Sequence, residues 1–139
     1  MKYVLDTNAV SALMRGDESM IAHLRRVVRR DVGIPQPAFA EVQYGIERLS
    51  AGKRRDRLRA RLTLLQSEIV RLPWTDEVSE RFGRIKRDLE RRGERLEDFD
   101  VAIAAHAHTP ETVLVTHDQA LSTRIAGLEI EDWSMRPGA

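Results

Sequence analysis

The stretch Tyr3-Val4-Leu5-Asp6-Thr7-Asn8-Ala9-Val10-Ser11-Ala12-Leu13 decides how this chain is read. Three apolar residues form a short strand. It stops at Asp6-Thr7-Asn8, residue types that favour turns and helix caps, and helix-compatible residues follow. A strand–turn–helix entry of this kind places an acid at the carboxyl end of the first strand, where ligands gather in open α/β sheets.

Working outward, the same alternation recurs. Gly16-Asp17 interrupts the first helix, and Met20, Leu24, Val27 and Val28 share one face of a second helix reaching Arg30. Val32-Gly33-Ile34-Pro35 reads as a strand, with Pro37 preventing its continuation. The next helix carries Phe39, Val42, Ile46 and Leu49 and ends at Ser50-Ala51-Gly52; another, Lys53 to Gln66, buries Leu58, Leu62 and Leu65. A third strand, Ile69 to Leu72, is closed by Pro73. Thr75 caps a helix with Val78, Phe82, Ile85 and Leu89 inside, ended by Gly93. Asp98 is expected to cap the following helix, with Val101, Ala104, Ala105 and His108 along one side, before Thr109-Pro110. Val113-Leu114-Val115 is a fourth strand. A short helix over Asp118 to Arg124 and an edge strand at Leu128-Glu129-Ile130 complete the pattern. The expected fold is α/β, one domain over residues 1–133 with a central, mainly parallel sheet of four to five short strands flanked by helices, and a polar tail over 134–139.

Composition excludes several classes. The chain has 139 residues, enough for one core, and is 42% hydrophobic and 32% charged, as folded globular proteins are. Without cysteine there are no disulfides, thiolate zinc sites or cysteine nucleophiles, so a metal must be held by oxygen or imidazole. Lys and Arg total 23 against 22 Asp and Glu, so partners must be sought in local clustering. The amino-terminal apolar run is too short for a signal peptide or membrane helix, which gives a cytoplasmic, non-membrane expectation.

Four acids fall where strand ends and helix starts can share one rim: Asp6, Glu41, Asp100 and Asp118. Each alone has an ordinary explanation. Asp6 and Asp118 suit helix caps, Asp100 suits a helix dipole, and Glu41 suits a solvated surface. Together, unpaired carboxylates would repel one another unless a hard divalent cation, Mg²⁺ or Mn²⁺, lay among them. Such an ion activates water and neutralises charge in phosphodiester hydrolysis.

Four segments carry a family resemblance: Tyr3 to Leu13; Ala40-Glu41-Val42-Gln43-Tyr44-Gly45-Ile46 with Leu49; Asp100-Val101-Ala102-Ile103-Ala104-Ala105-His106-Ala107; and Val113-Leu114-Val115-Thr116-His117-Asp118 with Gly127-Leu128 and Asp132-Trp133. In order and spacing the chain resembles VapC-type toxins of the PIN-domain nucleases from residue 1 to about 133. The resemblance implies a metal-dependent endoribonuclease with an RNA substrate, transfer RNA among the candidates, a homodimer, and inhibition by a cognate VapB-like antitoxin. By position, Asp6, Glu41 and Asp100 match family acids, while Thr7, Asn8 and Thr116 match polar positions that orient ligands, water or phosphate. The run Thr116-His117-Asp118 departs from the family's Thr-Asn-Asn-like pattern, which leaves Asp118 as the fourth acid.

Lys53 to Arg61 holds six basic residues and one acid, suited to phosphates or to an acidic antitoxin tail. A second basic group, from Arg84 to Arg95, is interleaved with Asp88, Glu90 and Glu94 and reads as a solvated face. Of four histidines, His106 and His108 would project about 200° apart on a helix and cannot share a metal; only His117 lies near the proposed centre. Two alternatives compete. A haloacid-dehalogenase-like phosphatase would need an aspartate where Asn8 stands, and a non-catalytic PIN-like module would bind RNA or a partner without cutting.

Overall fold

The computed structural model describes residues 1–138. The elements are β1 (Tyr3–Leu5), α1 (Thr7–Met14), α2 (Glu18–Arg25), a 3-10 turn (Arg29–Asp31), β2 (Val32–Pro35), α3 (Gln36–Glu47), α4 (Lys53–Glu68), β3 (Val70–Leu72), α5 (Asp76–Arg91), α6 (Asp98–Ala107), β4 (Val113–Val115), α7 (Leu121–Arg124) and β5 (Glu129–Glu131).

The sheet has five strands in the order β3-β2-β1-β4-β5, and every pairing is parallel. The expected "mainly parallel" sheet of four to five strands is therefore fully parallel, with β5 a paired edge. The chain builds outward from β1 through β2 to β3, then returns to the other side of β1 for β4 and β5. The order reverses between β1 and β4, and the carboxyl ends of these two strands flank the crevice where such sheets bind ligands.

Val4, Leu5, Val32, Ile34, Leu114 and Val115 are fully buried, as strands covered on both faces must be. Helix α6 explains its own position: Val101 through Ala107 are all buried, so it is apolar all round and lies inside the molecule. Only its first turn, bearing Asp98 and Asp100, reaches the surface. Ala102, Ala104, Ala105 and Ala107 permit this close approach because they carry almost no bulk.

Three local expectations are corrected. The second helix stops at Arg25 instead of Arg30; Asp17 caps it by accepting from Met20 N at 3.0 Å, and the chain turns before β2. Asp98 does not cap α6. Glu97 occupies the cap position with no side-chain bond, and Asp98 instead accepts from Lys86 Nζ at 2.9 Å, drawn to α5 by a partner that no local pattern encodes. His108 lies beyond the helix, and its ring bonds to Ala126 O at 2.7 Å. Thr75 caps α5 as expected, accepting from Val78 N, and Gly93 ends that helix with φ of 70°.

Gly33 sets how closely β2 and β3 approach. A Cβ there would stand 2.8 Å from both Cγ and Cδ1 of Leu72, inside contact distance. Gly33→Val is expected to cost on the order of 1–3 kcal/mol through displacement of Leu72, measured as a lower urea midpoint at unchanged m-value.

Candidate active site

Asp6 follows β1 directly and is the N-cap of α1, its Oδ1 accepting from Ala9 N at 2.8 Å. The ordinary cap reading of this residue is thus correct, and its place after β1 also sets it beside the other acids. One oxygen is tied to the helix by that amide. Burial raises the Asp6 pKa; the Ala9 amide, the Thr116 hydroxyl and His117 oppose the rise, and the Glu41 charge adds to it.

Glu41 comes from the middle of α3, one and a half turns in, and is half-buried. The Thr7 hydroxyl donates to its Oε1, so a side chain at the start of α1 fixes the orientation of an acid on α3. Asp100 projects from the first turn of α6. Its pKa is raised, first by desolvation and then by Glu41, Asp6, Glu97 and Asp118 in that order. Charge on the other three proposed acids adds to that rise, and Glu41 and Asp118 line one cleft with Asp100 while Asp6 lies on the neighbouring hollow.

Asp118 is exposed on the loop after β4. Its backbone N–H donates to Thr116 Oγ1 at 3.1 Å, while its Oδ1 accepts from Ala120 N at 3.2 Å. Thr116, buried at the end of β4, therefore braces the loop that carries Asp118 and touches the surroundings of Asp6. Asn8 is exposed and faces a shallow hollow with Asp6, Thr116, His117 and Asp132, on the opposite side from Thr7. A larger cleft, about 760 Å³, opens beside Glu41, Asp100 and Asp118.

Sequence reasoning assigned no part to Asp132, although it stood in the quoted Asp132-Trp133 pair. It accepts from Ser134 N at 2.9 Å and Ser134 Oγ at 2.6 Å, and these bonds, with Gln119 and His117 close by, hold its pKa below the ordinary range. His106 is buried and bonds through its two ring nitrogens to Ala102 O and Pro73 O, away from the rim.

The donor set fits a hard divalent cation: four carboxylates, flanking hydroxyls, and no sulfur. The acids approach without closing into a preformed cage, since among the described residues no three His, Cys, Asp or Glu side chains are close enough to hold an ion. No described helix is long and apolar enough to cross a membrane.

Comparison with known proteins agrees with this architecture. The PIN domain family model matches residues 3–126. Ribonuclease VapC2 of Rickettsia felis is 27% identical over 135 residues, covering 96% of this chain and 98% of that protein. The tRNA(fMet)-specific endonuclease VapC of Salmonella typhimurium is 28% identical over 136 residues, with 96% and 98% covered. The structure of DNA-bound VapBC from Salmonella typhimurium superposes with a TM-score of 0.84 at 28% identity, over 96% of this chain and 98% of that one. VapBC-1 from nontypeable Haemophilus influenzae gives 0.79 at 26% identity, over 97% and 100%. With a fully parallel sheet, acids at its central strand ends and a family match over most of its length, the chain belongs to the PIN domain family.

Proposed function

We propose that this protein is a VapC-type toxin, a divalent-metal-dependent endoribonuclease whose centre is formed by Asp6, Glu41, Asp100 and Asp118. The observation that carries the reading is that Asp6 and Asp118 follow the neighbouring strands β1 and β4, and that Glu41 of α3 and Asp100 of α6 line one cleft with Asp118 there. The end-to-end likeness to proteins named ribonuclease VapC supports RNA as substrate, with transfer RNA a specific candidate from the relatives so named. Solved VapBC assemblies of the same fold support a VapB-like antitoxin partner. The proposal extends to a cytoplasmic homodimer inhibited by that antitoxin, and to a domain ending near residue 133, where Trp133 is buried.

Asp6, Asp100, Glu41 and Asp118 would hold Mg²⁺ or Mn²⁺. When bound, that ion supplies Lewis acidity that activates water and offsets charge on the phosphate. The chain's own contributions are positional. Thr7 holds the Glu41 carboxylate through its hydroxyl, the Ala9 amide holds one oxygen of Asp6, and Thr116 holds the Asp118 loop. Asn8 presents an exposed amide at the rim, suited to hydrogen-bonding a phosphate or sugar oxygen.

The same geometry gives a pH-dependent stability. Because the folded pKa values of Asp6 and Asp100 are raised, both groups favour folding below the ordinary carboxylate pKa of about 4, and that contribution is lost as pH rises through the folded values. In EDTA the melting temperature is therefore expected to carry a penalty at neutral pH that Asp100→Asn lacks in part. Saturating Mg²⁺ or Mn²⁺ is expected to raise the melting temperature by about 2–4 °C for each kcal/mol of binding, and by less in Asp100→Asn. In parallel, RNA cleavage is expected to require the cation. Cleavage that persists in EDTA would overturn the metal mechanism, and phosphate release from small esters without RNA cleavage would favour the phosphatase reading.

A further inference from the structure

The basic run on α4 is less uniform in space than in sequence. Three of its six cations are committed to the fold: Arg55 Nη1 donates to Leu49 O at 3.4 Å, Arg59 pairs with Glu47, and Arg61 Nη1 donates to Met14 O at 2.8 Å. Among the described residues no carboxylate lies within ion-pairing distance of Arg54 or Arg57. Both are exposed, three residues apart and so on one face of α4, and both line a groove between α1, α3 and α4. Thr7 and Ser11, one turn apart on α1, form the facing wall, and Glu41 closes the end that meets the acidic centre. Gly45 on α3 also lines it, and a Cβ there would meet nothing within 4 Å, so this part of the wall is open.

The other side of the centre has the opposite character. The cleft beside Asp100 and Asp118 is lined by Glu90, Glu94, Glu97 and Asp98. Of its three cations, Lys86 is paired with Asp98 at 2.9 Å and Arg124 with Glu94 at 3.4 Å, and Arg95 stands among these acids as the one left without an ion pair among the described residues. A polyanion with one phosphate at the four acids meets a flank where acids far outnumber the single unpaired cation Arg95, and two unpaired guanidinium groups with few acids on the α4 flank.

We propose that the α1–α3–α4 groove grips the RNA backbone on one side of the acidic centre, with Arg54 and Arg57 as its phosphate contacts and the Ser11 hydroxyl beside them. The inference rests on the ribonuclease reading and adds a direction for the strand. The groove recognises phosphates without reading bases, because it offers guanidinium and hydroxyl donors and no exposed aromatic stacking surface.

The test uses the full chain carrying Asp6→Asn to silence cleavage, and a fluorescent single-stranded RNA oligonucleotide titrated at several KCl concentrations. Adding Arg54→Gln and Arg57→Gln is expected to flatten the slope of log Kd against log salt by about 1.4, two contacts at about 0.7 each. Arg84→Gln with Arg87→Gln, a comparator pair on α5, is expected to leave the slope in place. Gly45→Glu, which adds a carboxylate to the open wall while improving helix propensity, is expected to weaken RNA binding on the order of tenfold without loss of circular dichroism. An unchanged slope in the α4 variant, or equal flattening in the α5 comparator, overturns the groove. So does retained RNA binding with lost binding of a Glu-rich peptide, which would assign the groove to an acidic protein segment. If the unmodified protein with Mn²⁺ cleaves no RNA, the ribonuclease reading itself fails; cleavage abolished by Asp6→Asn with an unaltered slope removes only the groove.

Discussion

Asp6→Asn is expected to lower RNA cleavage on the order of 10³-fold or more while leaving the protein folded. The separation follows from the two uses of one carboxylate. As a cap, Asp6 needs only an oxygen facing Ala9 N, and asparagine provides one with nearly equal preference. As a member of the acidic rim it needs negative charge, which asparagine removes. Single-turnover cleavage with saturating Mn²⁺ measures the loss, and a melting temperature in EDTA equal to or above that of the parent verifies the fold. Asp100→Asn is expected to behave alike, because its side chain takes no part in capping α6. RNA binding with no cleavage in either the parent or the Asp6 variant would instead identify a non-catalytic binding module.

Trp133→Ala is expected to be the most disruptive single truncation for stability, costing about 3–5 kcal/mol. Trp133 is 2% exposed although it stands five residues from the last described position. It stacks parallel to His23 of α2 with ring centroids 5.3 Å apart, meets Tyr3 of β1 at the same separation, and donates from Nε1 to Glu131 at 3.0 Å. Removing it uncouples the β5 edge, α2 and the central strand at once. Against a total stability of about 5–15 kcal/mol, that loss leaves a substantial unfolded fraction. Urea unfolding gives the value, and Trp133→Phe, which keeps most of the apolar area and forfeits the Nε1 bond, is expected to fall between the two.

What was legible in the sequence was legible for local reasons. Tyr3-Val4-Leu5 followed by Asp6 states both a strand and its end, and Thr75 declares a helix start through its own hydroxyl. The four acids could be listed because the turns and helix starts that display them are encoded beside them. Their common neighbourhood could not, since it depends on α3 and α6 arriving beside β1 from distant parts of the chain. Asp98 suits a cap by its local sequence, but the Lys86 ammonium on α5 offers it an ion pair that no local pattern encodes. Val27 and Val28 continue the apolar period of α2, yet the helix ends at Arg25 because the chain turns there to enter β2. The Arg54–Arg57 pair was hidden inside a run of similar cations, separable only once Arg55, Arg59 and Arg61 had found their acceptors.

The cap at Asp6 also shapes how this protein can be switched off by mutation. At most buried positions, losing the residue's contribution means losing folded protein, and any partner that recognises the fold goes with it. At residue 6 the side-chain atom that supports the helix and the charge that supports the proposed chemistry are chemically distinct. A single amide-for-acid exchange is therefore a short route from an active protein to a silent one that keeps its surface, and such a variant could still occupy an inhibitor meant for the active form.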